Sequence, residues 1–189
     1  MPRKADAALE GRILDVAYHL WSKGGEDALT MRAVARAAGT TTPTLYERFS
    51  DKDDLLAFLR DRARQKMFST VERASSPVEV CRKALKFALT HGNEYRLLSS
   101  DWAIRVGRKE PLPTFAFLKQ LLAEKLGGTP EEYTQLALAL VALVHGTAMV
   151  LLAEGVAPKV SGEMKQACIA ACEALMERSG GLAHQEPLE

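Results

Sequence analysis

Little in this sequence pairs, alternates or leans to one sign of charge, and each absence removes a class of protein. The three cysteines, Cys81, Cys168 and Cys172, are odd in number and show no CxxC spacing. They build no disulfide framework and fit a reducing compartment. Cys168 and Cys172 stand four residues apart, on one face of a helix; no His or carboxylate partner stands out at ligand spacing, so buried packing is the expected role. Strand signals are nearly missing: there are no alternating Val/Ile/Thr runs and no Asn-Gly turn. The formal net charge is only +1 over 189 residues. Residues 1–66 hold twelve Lys and Arg against ten Asp and Glu, so nucleic-acid binding has to be argued from local placement of charge and not from composition.

Catalytic signatures are missing as well. There is no GxGxxG, P-loop, HExxH or nucleophile elbow, and His19, His91, His145 and His184 are scattered. No enzymatic activity, cofactor or metal is expected. Met1-Pro2-Arg3-Lys4 is followed by no apolar run, which argues against a signal peptide and for a cytoplasmic protein. One long apolar stretch exists, Leu136 to Ala153, interrupted by His145 and Thr147. It is alanine-rich and short of the roughly 20 strongly apolar residues of a membrane span. A helix apolar on every side is expected to lie buried between neighbours, in a core or across a subunit interface, with no membrane involved.

What is present is helix. Ile13, Leu14, Ala17, Leu20 and Trp21 recur at three- and four-residue spacing until Gly24-Gly25 stops them. Thr30 caps a short helix from Met31 to Ala38, closed by Gly39. Thr42-Pro43 opens another, with Thr42 as cap, running to about Phe49. Ser50-Asp51-Lys52-Asp53 reads as a capping box for a longer helix reaching about Val71. Further helices are predicted over 78–91, 93–102, 114–126, 130–154 and 161–178, with a loop at 107–113. The fold class is therefore all-α, about nine helices: a three-helix head at residues 1–50 and a helical regulatory and dimerisation body at 51–189.

The chemistry concentrates between Thr30 and Lys52. A short helix, a turn opening on a glycine and a second short helix define a helix-turn-helix. Ala35 is small where the helices cross, Val34, Ala38, Leu45 and Phe49 face inward, and Ile13, Ala17 and Trp21 cover them. Thr42, Thr44, Tyr46, Glu47 and Arg48 are left outside, on the face that enters the major groove in such motifs. Lys52 puts a cation at the start of its helix, against the helix dipole, which suits an anion outside the fold such as a DNA phosphate.

These residues carry a resemblance. Ala28-Leu29-Thr30-Met31-Arg32, Ala35-Arg36-Ala37-Ala38-Gly39, Thr44-Leu45-Tyr46-Glu47-Arg48-Phe49, Asp51-Lys52 and Leu55-Leu56 make residues 9–59 similar to the DNA-binding domain of the tetracycline-repressor (TetR) family. Downstream the likeness is loose and rests on His145-Gly146 in the apolar helix. The resemblance implies a homodimeric regulator of transcription that binds double-stranded operator DNA and is released by a small molecule. It implies a four-helix dimer contact from the two long C-terminal helices, in which Ala139, Ala142, Gly146 and Ala170 permit close approach. By matching position, Tyr46, Lys52 and Thr30 grip phosphates, Arg32, Thr42, Thr44 and Arg48 read bases, and Thr41 joins the same face. Two residues depart from the pattern: Thr40 replaces an aliphatic residue after the turn glycine, and Glu47 puts a negative charge beside the DNA face. For the ligand, Phe58, Phe87, Trp102, Phe115, Phe117, His145 and Met149 are candidates to line a mostly apolar cavity. No cluster of one charge sign in the middle helices opposes a small, largely apolar molecule. The competing reading is a helical adaptor that does not bind DNA.

Overall fold

The computed structural model describes residues 3–178. Among them are ten α-helices, one 3-10 turn and no strand. The helices are α1 (Arg3–Ala28), α2 (Met31–Ala37), α3 (Thr42–Tyr46), α4 (Lys52–Val71), α5 (Pro77–Thr90), α6 (Gly92–Ser99), α7 (Trp102–Gly107), α8 (Pro113–Leu126), α9 (Thr134–Leu151) and α10 (Pro158–Glu177), with the 3-10 turn at Pro130–Tyr133 before α9. The helix beyond the expected nine is α7, six residues between the expected helix 93–102 and the expected loop 107–113.

Local chemistry sets most of the boundaries, with shifts of a few residues. Gly25 does break α1, at φ 61° and ψ −144°, and a last helical turn follows it to Ala28. A β-carbon there would adopt a region closed to L-residues and would come within 3.3 Å of Asn93 Oδ1. The cap of α3 is Thr41 and not Thr42: its hydroxyl accepts from Thr44 N, and Pro43 sits in the first turn. α3 also ends at Tyr46, short of Phe49, which a following turn carries inward through Arg48 N and Phe49 N to Leu45 O. At α4 the reciprocal cap lies one residue later than expected. Asp51 Oδ1 accepts from Asp54 N at 2.8 Å, and Asp54 Oδ2 accepts from Ser50 N at 3.1 Å.

By packing, the chain divides into two compact units. One runs up to Lys66 and includes His91–Trp102; the other is Met67–Thr90 with the residues from Ala103 on. The packing boundary therefore falls at Lys66 and not at the expected residue 50. In the first unit α6 lies against α1. Trp21 Nε1 donates to Asn93 O at 2.9 Å, and Asn93 Nδ2 donates to Ser22 O at 3.2 Å. Glu94, 3 % exposed, is held by Lys66 Nζ at 3.2 Å. Arg62 and Lys66 lie over the Tyr18 ring. Burial, with the charge of Glu94, pushes the Tyr18 hydroxyl up to about 12.

In the second unit α5, α9 and α10 pack on one another. All three cysteines are buried there, as expected. Cys168 Sγ donates to Leu143 O at 3.7 Å, and a hydrogen bond with Cys81 together with burial pushes the Cys172 thiol far up, the state of packing groups and not of nucleophiles. The start of α5 is clipped by Glu79, which accepts from Ser75 N at 2.7 Å and Ser75 Oγ at 2.9 Å and pairs with Lys83 at 3.0 Å. The Ser75 backbone bond, then Lys83, hold the Glu79 carboxyl down at about 2, from an ordinary value of 4.5. A depressed carboxyl stabilises the fold in full above its unfolded value and loses that contribution as pH falls. Glu79→Gln is therefore expected to lower stability at neutral pH, with the difference shrinking from pH 4.5 down to about 2. Urea titrations of both proteins across that window check it; a constant difference would rule out the clip.

Candidate nucleic-acid interface

The helix-turn-helix is built on a small set of fully buried apolar groups. Ile13, Ala17, Val34, Leu45, Leu55 and Leu59 are 0 % exposed and share one core with Trp21, Leu29, Ala35, Ala38 and Phe49. Thr30 caps α2, its hydroxyl accepting from Ala33 N at 3.1 Å. The far end of α2 closes by two bonds, Thr40 N to Ala35 O at 2.9 Å and Gly39 N to Arg36 O at 3.3 Å. That closure needs a left-handed residue, and Gly39 supplies it at φ 68°. Leu45 and Phe49 are thereby pulled inward, which turns the opposite side of α3 outward.

The expected DNA residues divide into two sets on this surface. Arg32 is exposed on α2, with no ionic or hydrogen-bonding partner among the described residues. Tyr46 ends α3 and is 51 % exposed. Thr42 is half-buried in the first turn of α3. The others are already engaged. Thr41 accepts from Thr44 N at 3.3 Å, and the hydroxyls of Thr41 and Thr44 share a 2.9 Å hydrogen bond. Arg48, half-buried, donates from Nη1 to Thr44 O at 3.0 Å, folded back along its own helix. Lys52 Nζ lies 3.4 Å from Glu26 Oε1, so part of the anion expected outside the fold comes from the chain itself. Glu26 is the residue that sequence reasoning missed; it stands 26 positions away with no spacing signal to link it. Glu47 is exposed.

The ligand candidates are dispersed. Phe58 belongs to the first unit, 46 % exposed and edge-on to Phe49 with centroids 5.6 Å apart. Trp102 falls at that unit's end and is half-buried. In the second unit Phe87 is buried on α5, Phe115 is half-buried under Lys119, Phe117 packs edge-on to Phe68, and His145 is half-buried on α9. Met149 is 40 % exposed.

Met149 lies on a face of α9 that the chain itself does not cover; the helix is expected between neighbours, in a core or across a subunit interface. Pro130–Leu151 is long and apolar enough to cross a membrane by length and composition, and only 28 % of its most apolar window is buried within the chain. Ala139, Ala142, Gly146 and Met149, exposed or half-buried at spacings of three and four, line that face. On α10, Val160, Met164, Ala167, Ala171 and Ala174 repeat the pattern. Ala170, expected with them, instead lines a groove toward α5.

The stretch that holds the expected DNA residues is similar to known regulators. Residues 13–58 match the family model described as bacterial regulatory proteins, tetR family. The transcriptional repressor KstR of Mycolicibacterium smegmatis is 39 % identical over 64 residues, 34 % of this chain and 31 % of that protein; the matched part is thus about a third of that relative's length. Two solved structures share the fold over nearly the whole chain. A TetR-like transcriptional regulator from Rhodococcus sp. RHA1 aligns over 98 % of this chain and 100 % of its own at TM-score 0.56 and 24 % identity. The transcriptional regulator SCO7222, a TetR from Streptomyces coelicolor, aligns over 93 % and 98 % at TM-score 0.64 and 18 % identity.

Proposed function

We propose that this chain, whose residues 13–58 match the model of the tetR family of bacterial regulatory proteins, is a homodimeric repressor of transcription of that family. It binds operator DNA with α2 and α3, and a small, largely apolar molecule releases it. The observation that carries this reading is the helix-turn-helix itself, in which the buried Leu45 and Phe49 fix an α3 that presents Tyr46 outward, with Arg32 exposed on α2. A protein with this task works where the chromosome is, in the cytoplasm. Binding of the chain to a duplex from the region upstream of its own or a neighbouring gene tests the reading. Tighter binding there than to unrelated duplex supports it; no binding at low salt would favour the adaptor.

Tyr46, Lys52 and Thr30 are assigned to phosphates. Thr30 uses its oxygen lone pair in the cap and keeps its O–H for donation. Arg32 and Thr42 are assigned to bases. Thr44 and Arg48 are assigned to bases as well, through the donors and lone pairs that their bonds within α3 leave over, with Thr41 on the same face. Lys52→Ala is expected to weaken all duplexes about equally and to flatten the salt dependence by about one unit of slope. Glu26 competes with phosphate for Lys52. A surface pair of this kind contributes about 0.2–1 kcal/mol, so Glu26→Gln is expected to tighten binding roughly 1.5- to 5-fold. The gain should vanish when Lys52 is already alanine. Anisotropy titrations over a salt series read both effects, and an unchanged slope in Lys52→Ala would remove the phosphate assignment.

The dimer part rests on the open faces of α9 and α10. Alternating spacings of three and four produce a knobs-into-holes seam, and small residues let backbones approach. A second copy presenting the same seam covers both, as in most closed homodimers. Release by ligand needs an element common to both units, and α4 is continuous across the division at Lys66. A ligand acts through it only by binding the two head spacings unequally.

A further inference from the structure

A groove between α5 and α10 lies apart from every residue used so far except Ala170. It is open and about 630 Å3 in volume, within the roughly 300–1,000 Å3 span of small-molecule sites. Its floor is apolar, made by the buried Leu85 with the half-buried Leu89 and Ile169. Each helix then contributes one lysine to the lining, Lys86 from α5 and Lys165 from α10. Neither lysine has an ionic or hydrogen-bonding partner among the described residues. The third cation, Arg82, is satisfied by Glu173 at 3.5 Å. No aromatic ring lines the groove.

We propose that the α5–α10 groove binds an amphipathic anion, an extended apolar chain ending in a single carboxylate, with the chain along Leu85, Leu89 and Ile169 and the head between Lys86 and Lys165. Lysine stems cover apolar surface at many exposed sites. Here two ammonium groups from different helices line one concave apolar floor with no counter-charge of their own, which leaves an anion as the complementary head. A cationic amphiphile meets two like charges in that place, and a flat heteroaromatic ligand finds nothing to stack on. Compact, rotatable ammonium groups act as point charges and take one carboxylate between them without fixing its plane. From Lys165 to Glu173 the groove follows α10 for about 12 Å, room for roughly ten extended carbons. On α10, Lys165, Ile169 and Glu173 occupy the flank opposite the Val160–Met164–Ala167–Ala171–Ala174 seam, with Ala170 at the border of the two, so the dimer proposed above leaves one groove open per chain.

Decanoate, kept below its micelle concentration, is the probe, and calorimetry on the full-length chain is the measurement. Decanoate is expected to bind once per chain, and decyltrimethylammonium about tenfold or more weaker. The double variant Lys86→Gln/Lys165→Gln should lose about tenfold or more in decanoate affinity, the loss of charge-assisted bonds. Ile169→Asp should do the same from the floor, with the helical signal intact in both. Absence of binding at millimolar decanoate, or an affinity the lysine variant does not change, would overturn the proposal; so would equal binding of the cationic amphiphile. Operator affinity without ligand should be the same in these variants, so a failure here is distinguishable from a failure of the DNA reading.

Discussion

Phe49→Ala is expected to cost about 3–5 kcal/mol of folding stability and to take DNA binding with it. Phe49 is 1 % exposed and closes the turn after α3. It sits in the same core as Ile13, Leu45 and Leu55, and its ring meets Phe58 edge-on at 88°, a geometry that adds about 0.5–1.5 kcal/mol to simple burial. Truncation leaves a cavity beneath α3, where a five-residue helix has no second layer to collapse into it. Domains are stable by only about 5–15 kcal/mol, so the loss is a large part of the total. For a chain of this size it corresponds to a melting point lower by roughly 10 °C. Tyr46→Phe, three residues away on the outer side, should leave the melting point unchanged while weakening DNA binding. A drop below about 1 kcal/mol in Phe49→Ala, read by urea unfolding, would mean that the buried core does not hold α3 in place.

Gly146→Arg is expected to separate the dimer and to lower operator affinity by about a hundredfold or more, the scale of lost bivalency. Gly146 is exposed on α9, and a β-carbon built there meets nothing within 4 Å. The protomer therefore accepts the substitution, and a glycine removed from the middle of a helix improves its propensity by about 0.8–1 kcal/mol. Only a second copy packed on Ala142, Gly146 and Met149 is harmed, because an arginine cannot enter a seam lined by alanine and glycine. Light scattering should report a monomer whose thermal unfolding at the same concentration shows an intact helical fold. A variant that remains dimeric with undiminished operator affinity would place the subunit contact elsewhere.

The helix-turn-helix was legible because its determinants are local. The Thr30 cap, the left-handed Gly39 and the three- and four-residue spacing of Val34, Ala38, Leu45 and Phe49 act within one or two turns of helix. Where two neighbours offered the same chemistry, as Thr41 and Thr42 do, the pattern left the cap one residue out. The six residues of α7 fall between the helix read to Trp102 and the loop read from Gly107, too few to show an amphipathic period of their own.

By itself the sequence determined an all-helical chain, a helix-turn-helix near its start and the identity of its inward residues, Val34, Ala38, Leu45 and Phe49. Those follow from backbone capping and side-chain periodicity, which need no distant partner. Tertiary structure decided the rest. It returned α6 to α1, tying Trp21 to Asn93 across 72 positions, and placed Glu26 against Lys52 across 26. It left one side of α9 uncovered and laid α10 beside α5 so that Lys86 and Lys165 share a groove. Which distant segments meet is set by the burial of all the apolar faces at once, and no window of neighbouring residues contains that information.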